Sequence, residues 1–155
     1  MEKTIWDSTT SLLLVFSFEN ESQLHAFRVA LDKIVLESNV KHLIIIVTLP
    51  KEVDKNTLPP DFLIYYNSPN DFSFLGKLKD IQLEAELQKS YDLLLWFGST
   101  EQRIFSEVMK VKTKRKVLVN QTHGKFDIHL NSESDQPAEI LNFVVKTLTK
   151  IAIYE

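Results

Sequence analysis

A chain of 155 residues with 44% hydrophobic and 25% charged residues has the size and balance of one folded domain, and is not disordered. Its formal net charge of -3 offers no general attraction to nucleic acid or anionic membrane, and the absence of cysteine removes disulfides, thiolate chemistry and cysteine-ligated metal sites. The longest apolar runs, such as residues 12–16 and 43–47, fall far short of the about 20 residues a membrane-spanning helix needs.

A single α/β domain over 1–155 is expected, with residues 1–10 as a peripheral or poorly ordered leader. Lys3 before an apolar stretch has the outline of a signal peptide, but Glu2 and Asp7 offset it and no small-residue cleavage site follows. A cytoplasmic protein is therefore expected. Residues 12–16 form an uninterrupted apolar run, which predicts a strand buried on both faces. Asn20 and Gln23 have capping-box spacing, and Leu24, Phe27, Leu31, Ile34 and Val35 recur at helical period, so a helix is predicted over 21–37. Residues 42–49 form a second buried strand, and the three elements make a βαβ unit with a right-handed crossover.

Pro50 ends that strand, and a polar loop runs to Pro59-Pro60. Residues 62–66 read as a short strand, and Phe72 and Phe74 alternate as in an edge strand or an ordered loop. A short helix is predicted over 80–90, a buried strand over 92–97, and a helix capped by Ser99 with Gln102 in the reciprocal position. Residues 116–119 read as a strand, preceded by a basic run, Lys110 to Lys116, that fits a solvated helix end. Residues 126–130 alternate and look half-exposed. The last helix begins at Pro137, with Ile140, Phe143, Val144, Thr147, Leu148 and Ile151 expected on its inner side. This order predicts a doubly wound, Rossmann-like, mostly parallel sheet of five to six strands, with helices on both faces and room for an antiparallel edge strand. Ligands in such folds sit beyond the carboxyl ends of the strands. That edge collects residues 18–20, 50 onward, Asn67, 98–100 and 120–124.

The only glycines are Gly76, Gly98 and Gly124. A dinucleotide fingerprint, a P-loop and a hydrolase nucleophile elbow all need glycines closer together than this. The first βα turn carries Glu19 and Glu21 and no glycine, so it repels phosphate. Neither a cofactor nor a metal is expected. The four histidines, His25, His42, His123 and His129, lack metal-ligand spacing, although His123 and His129 could meet across a hairpin.

Three surfaces remain as candidates. Gly98-Ser99-Thr100 joins a buried strand to a helix start, where free N–H groups can hold an anion; capping by Ser99 alone also accounts for these residues. Gly76, Lys77 and Lys79 could add positive charge to that site if they lie on the same edge, or could simply form a turn into a lysine-flanked helix. Tyr65, Tyr66, Phe72 and Phe74 would mark a protein-binding patch if exposed, and core if buried. Nucleic acid is not expected as a partner, since no recognition motif accompanies the basic run.

Pro60-Asp61-Phe62, then Phe74-Leu75-Gly76-Lys77-Leu78-Lys79, then Tyr91-Asp92-Leu93-Leu94-Leu95, then Phe126-Asp127-Ile128 together resemble an uncharacterised family of small Bacteroidota proteins, a domain of unknown function. The resemblance spans about residues 12–151. Leu78 stands where that family has proline, and the family's basic amino-terminal extension is missing or shortened. The resemblance implies no catalytic residue and draws attention to Gly76 and Lys77. The expected function is a non-catalytic binding or protein-interaction module on a degenerate doubly wound fold. The alternative is a ligand-binding protein or enzyme of the nucleotide or sugar-nucleotide class, working at Gly98, Ser99 and Thr100.

Overall fold

A computed structural model describes residues 3–153 of the chain. The elements, in chain order, are β1 (Lys3–Thr4), β2 (Ser11–Ser17), α1 (Glu21–Leu36), β3 (His42–Thr48), β4 (Ile64–Asn67), α2 (Ile81–Leu87), β5 (Ser90–Phe97), α3 (Phe105–Met109), β6 (Lys112–Val119), β7 (Ile128–Leu130), α4 (Pro137–Leu148) and β8 (Ala152–Ile153). A single 3-10 turn, Lys55–Thr57, lies in the loop after β3.

Six strands form one wholly parallel sheet in the order β4-β3-β2-β5-β6-β7. Its centre is the most apolar part of the sequence. Leu12 pairs with Leu43 on one side and Leu93 on the other, and the ladder continues to Phe16 beside Val47 and Phe97. Alternate residues of these strands feed two cores. Leu12, Leu14, Leu93 and Leu95 pack against Leu24, Phe27 and Leu31 of α1 and Leu141, Val144 and Leu148 of α4. Leu13, Val15, Leu94 and Trp96 pack against Leu83 and Leu87 of α2 and Ile104 and Val108 at α3. Burial on both faces explains why these strands read as unbroken apolar runs.

Several local expectations are corrected. The strand at residues 126–130 is parallel to its neighbour, so β6 and β7 form no hairpin; the antiparallel pair is β1 with β8, in a separate two-stranded sheet. The leader is not loose over its described part. Ile5 and Trp6 are buried, and their N–H groups donate to the carbonyls of Ile151 (2.9 Å) and Leu148 (3.2 Å). The basic run after Lys110 is the first half of β6 rather than a helix end. In α4 the buried positions are Pro137, Leu141, Val144 and Leu148, a stripe at helical spacing that leaves Phe143 facing out.

Candidate functional site

The chain reverses direction of winding between β2 and β5: α1 carries it one way to β3, and α3 carries it the other way to β6. Beyond the carboxyl ends of these two strands lies a cleft of about 300 Å3. Its floor is Phe16, Phe27 and Phe97, with Phe27 stacked on Phe16 at 4.2 Å and set edge-on to Phe97 at 5.3 Å between ring centroids. Ser17 is the last residue of β2, Glu19 comes from the turn after it, Gln23 from α1, and Asn120 and Gln121 from the turn after β6. Ser134 and Asp135 come from the loop before α4, and Pro137 and Ile140 from its first turn.

Each wall is held by local bonds. The Thr48 hydroxyl donates to Ser17 Oγ at 3.2 Å, and the Phe18 N–H to the Thr48 carbonyl at 2.9 Å. Asn20 caps α1 by accepting the Gln23 N–H at 2.8 Å. Asn120 adopts a left-handed backbone, φ 61°, which asparagine tolerates better than most residues. Its N–H donates to the Leu130 carbonyl (2.7 Å) and its side chain accepts the Ser132 N–H (2.6 Å). This bond draws the loop before α4 over the cleft. Gly98 permits the close approach of β5 to the end of β2: its φ is +116°, and a Cβ there would overlap the Ser17 side chain.

The electrostatics do not favour an anion. Helices α1 and α4 both open at the cleft, but each carries a glutamate in its first turn, Glu21 and Glu139, which offsets the positive dipole end. Glu19 and Asp135 add negative charge, and among the described residues no histidine, lysine or arginine lines the cleft.

Of the candidate anion-site residues Gly98, Ser99, Thr100, Gly76, Lys77 and Lys79, Gly98 alone lines this cleft, together with Glu19, Asn120 and Gln121, which the sequence placed at the same carboxyl edge. Ser99 does not cap a helix. The indole N–H of buried Trp96 donates to its carbonyl at 3.1 Å, its hydroxyl accepts the Glu101 N–H at 3.0 Å in a tight turn, and the five-residue α3 starts only at Phe105. The Thr100 N–H faces Gln121 Oε1 at 3.4 Å. Of the N–H groups in this turn, those of Thr100 and Glu101 are thus already bonded.

Gly76 and Lys77 border a different hollow, with Gln88 and Lys110, residues that lead toward the amino ends of β5 and β6. Lys79 is exposed, and its N–H donates to the Asp71 carbonyl at 2.9 Å. The lysine segment and Gly98 therefore do not share one hollow. The aromatic cluster is also divided. Tyr65 packs on one core and Tyr66 on the other, Phe72 is buried, and only Phe74 is exposed. Burial raises the pKa of both tyrosines above the ordinary phenol value, with nearby carboxylates adding to the shift. His129 Nε2 does meet His123, 3.1 Å from its N–H and 2.9 Å from its carbonyl oxygen, through a loop rather than a hairpin. Among the described residues no group of three or more His, Cys, Asp or Glu could hold a metal.

Gln23, Ser134 and Asp135 were not legible as site residues. The proline that starts α4 was the one available signal, since it places the residues before it at the carboxyl edge. No described helix is long and apolar enough to cross a membrane. In comparison with known proteins, no family model, no curated protein and no solved structure matches this chain.

Proposed function

We propose that this chain is a non-catalytic small-ligand-binding module of the cytoplasm that uses the cleft between the carboxyl ends of β2 and β5. The observation that carries the reading is the position of the cleft at the reversal of strand order, the usual ligand site of doubly wound sheets. Rossmann-like winding belongs to the same proposal, and so does membership in the uncharacterised Bacteroidota family, which rests on the short motifs around Gly76, Tyr91 and Phe126. The volume is at the lower end of ligand pockets. An apolar aromatic floor under carboxylates and amides suits a flat ring with hydroxyl or amine donors. Within the nucleotide class that means the nucleoside end rather than a phosphate. Among the described residues the ionisable groups at the cleft wall are the carboxylates of Glu19 and Asp135, which suit a ligand that offers hydrogen-bond donors.

Thermal denaturation against panels of nucleosides, nucleotides, polyols and amines tests this. A ligand at 100 times its Kd adds about 2.7 kcal/mol to folding stability, a rise of several degrees in Tm. The rise should vanish in Ile140→Trp, which fills the rim of the cleft. A flat response across the panels, or an equal rise in that variant, overturns the reading.

A second reading, protein docking, is favoured by Phe74 and Leu75. Both stand exposed on a turn that Ser73 closes through its N–H to the Lys77 carbonyl (2.6 Å) and its carbonyl to the Gly76 N–H (2.8 Å).

A further inference from the structure

Strand β6 is eight residues long, and β5 flanks it from Lys112 to Val119. On its other side β7 covers only Val117, Leu118 and Val119. Asp127 closes the next position. Its N–H donates to the Lys116 carbonyl at 2.9 Å, and its carboxylate accepts the Lys116 N–H at 2.8 Å. Main-chain groups alternate sides along a strand, so those of Lys112 and Lys114 turn outward as those of Lys116 do. Among the described residues no hydrogen-bond partner meets them on that side.

This open edge is strongly basic, with Lys112, Lys114, Arg115 and Lys116 inside five residues. Lys114 reaches Asp92 at 3.3 Å, while Lys112, Arg115 and Lys116 have no ion pair among the described residues. Edge lysines repel another edge of the same kind, which disfavours pairing between copies of this chain. They do not repel an acidic strand. Lys116 already shows the chemistry in miniature, with a carboxylate accepting an edge N–H.

We propose that residues 112–115 form a docking edge that takes an extended acidic segment of a partner protein by strand addition. Main-chain bonds to Lys112 and Lys114 supply the pairing, and the basic side chains select the charge. The edge lies at the amino end of β6, away from the cleft at its carboxyl end. Single-stranded RNA fits less well, since no aromatic side chain interleaves with these cations to stack a base.

The test uses the whole chain and a blocked peptide of alternating glutamate and valine, read by fluorescence anisotropy and by hydrogen exchange. Binding should slow exchange at the Lys112 and Lys114 amides. A peptide of equal charge with proline in place of valine has fewer N–H donors and should bind about tenfold more weakly, a loss of about 1.4 kcal/mol. The double variant Lys112→Glu/Arg115→Glu, with unchanged circular dichroism, should lose the interaction. Equal binding of the two peptides, protection of other amides instead, RNA binding here in place of peptide, or self-association that protects the same amides would each overturn the proposal.

Discussion

Gly98 lies against Ser17 where the two central strands end, so close that a Cβ on Gly98 would overlap Ser17 Cβ and Oγ. The contact brings the turn after β5 onto the end of β2 and sets one wall of the cleft. Gly98→Ala adds this overlap to the strain of a side chain at φ +116°. Together they should cost about 2–5 kcal/mol in urea denaturation. Adding Ser17→Gly should restore about half, because it removes the overlap and leaves the φ strain. A single alanine variant with unchanged stability would refute the close approach.

At the opposite end of the same strands, Asp92 ties β5 to the start of β2. Its carboxylate accepts the N–H and the hydroxyl of Thr10, both at 2.8 Å, and the Ser11 N–H at 3.2 Å, while its own N–H donates to Ser11 Oγ at 2.8 Å. Burial opposes the charge, but the bonds from Thr10, Lys114 and Ser11 outweigh it and hold the carboxyl below the usual carboxylate range. The folded value thus lies below the unfolded value of about 3.9. The stabilisation is complete above that unfolded value and is lost as pH falls through the folded one. Asp92→Ala should cost about 1–3 kcal/mol at pH 7, and the gap from the parent should narrow below about pH 4. A gap that stays constant from pH 7 to 3 would assign it to packing.

The central strands were legible because burial on both faces leaves a run such as Leu12-Leu13-Leu14-Val15-Phe16 with no polar residue to confuse it. The first half of β6 was not. Lys112 to Arg115 pair with a strand on one side only, so their charge reads as surface while their backbone is strand. Ser99 misled for a different reason. A serine that can bond an N–H two residues on starts a turn as readily as a helix, and Trp96 decides between them by needing the Ser99 carbonyl. Topology alone placed Glu19, Gly98, Asn120 and Gln121 at one edge. Which of them meet depends on β2 lying beside β5, and that order follows from packing across 80 residues of chain rather than from local pattern. Asp135 entered through the bond from Ser132 to Asn120, which no spacing rule anticipates.

The floor of the cleft is also core. Phe27 is 1% exposed and contacts both Phe16 and Phe97. Phe27→Ala should cost about 3–5 kcal/mol, since it removes a large buried side chain and two ring contacts. Phe27→Leu should cost less than half of that. Measurement by chemical denaturation checks both, and a loss under about 1 kcal/mol for the alanine variant would mean the floor collapses to fill the space.

Phe72 and Phe74 alternate in sequence, and the turn between them gives them opposite fates. Phe72 pairs across the turn with Leu78, packs into the core beside Leu83 and Leu87, and lies under the Arg103 guanidinium at 4.6 Å. Arg103 is held there by a bond to the Pro69 carbonyl at 2.9 Å. Phe74 projects from the tip of the turn, fully exposed. Phe72→Ala should therefore cost about 3–5 kcal/mol, whereas Phe74→Ser should change stability by less than about 0.5 kcal/mol. Phe74→Ser should also weaken retention on a hydrophobic resin, because it removes a fully exposed ring without disturbing the turn that carries it. Similar losses from both variants would mean that Phe74 is buried in solution, and would remove the protein-docking reading of this turn.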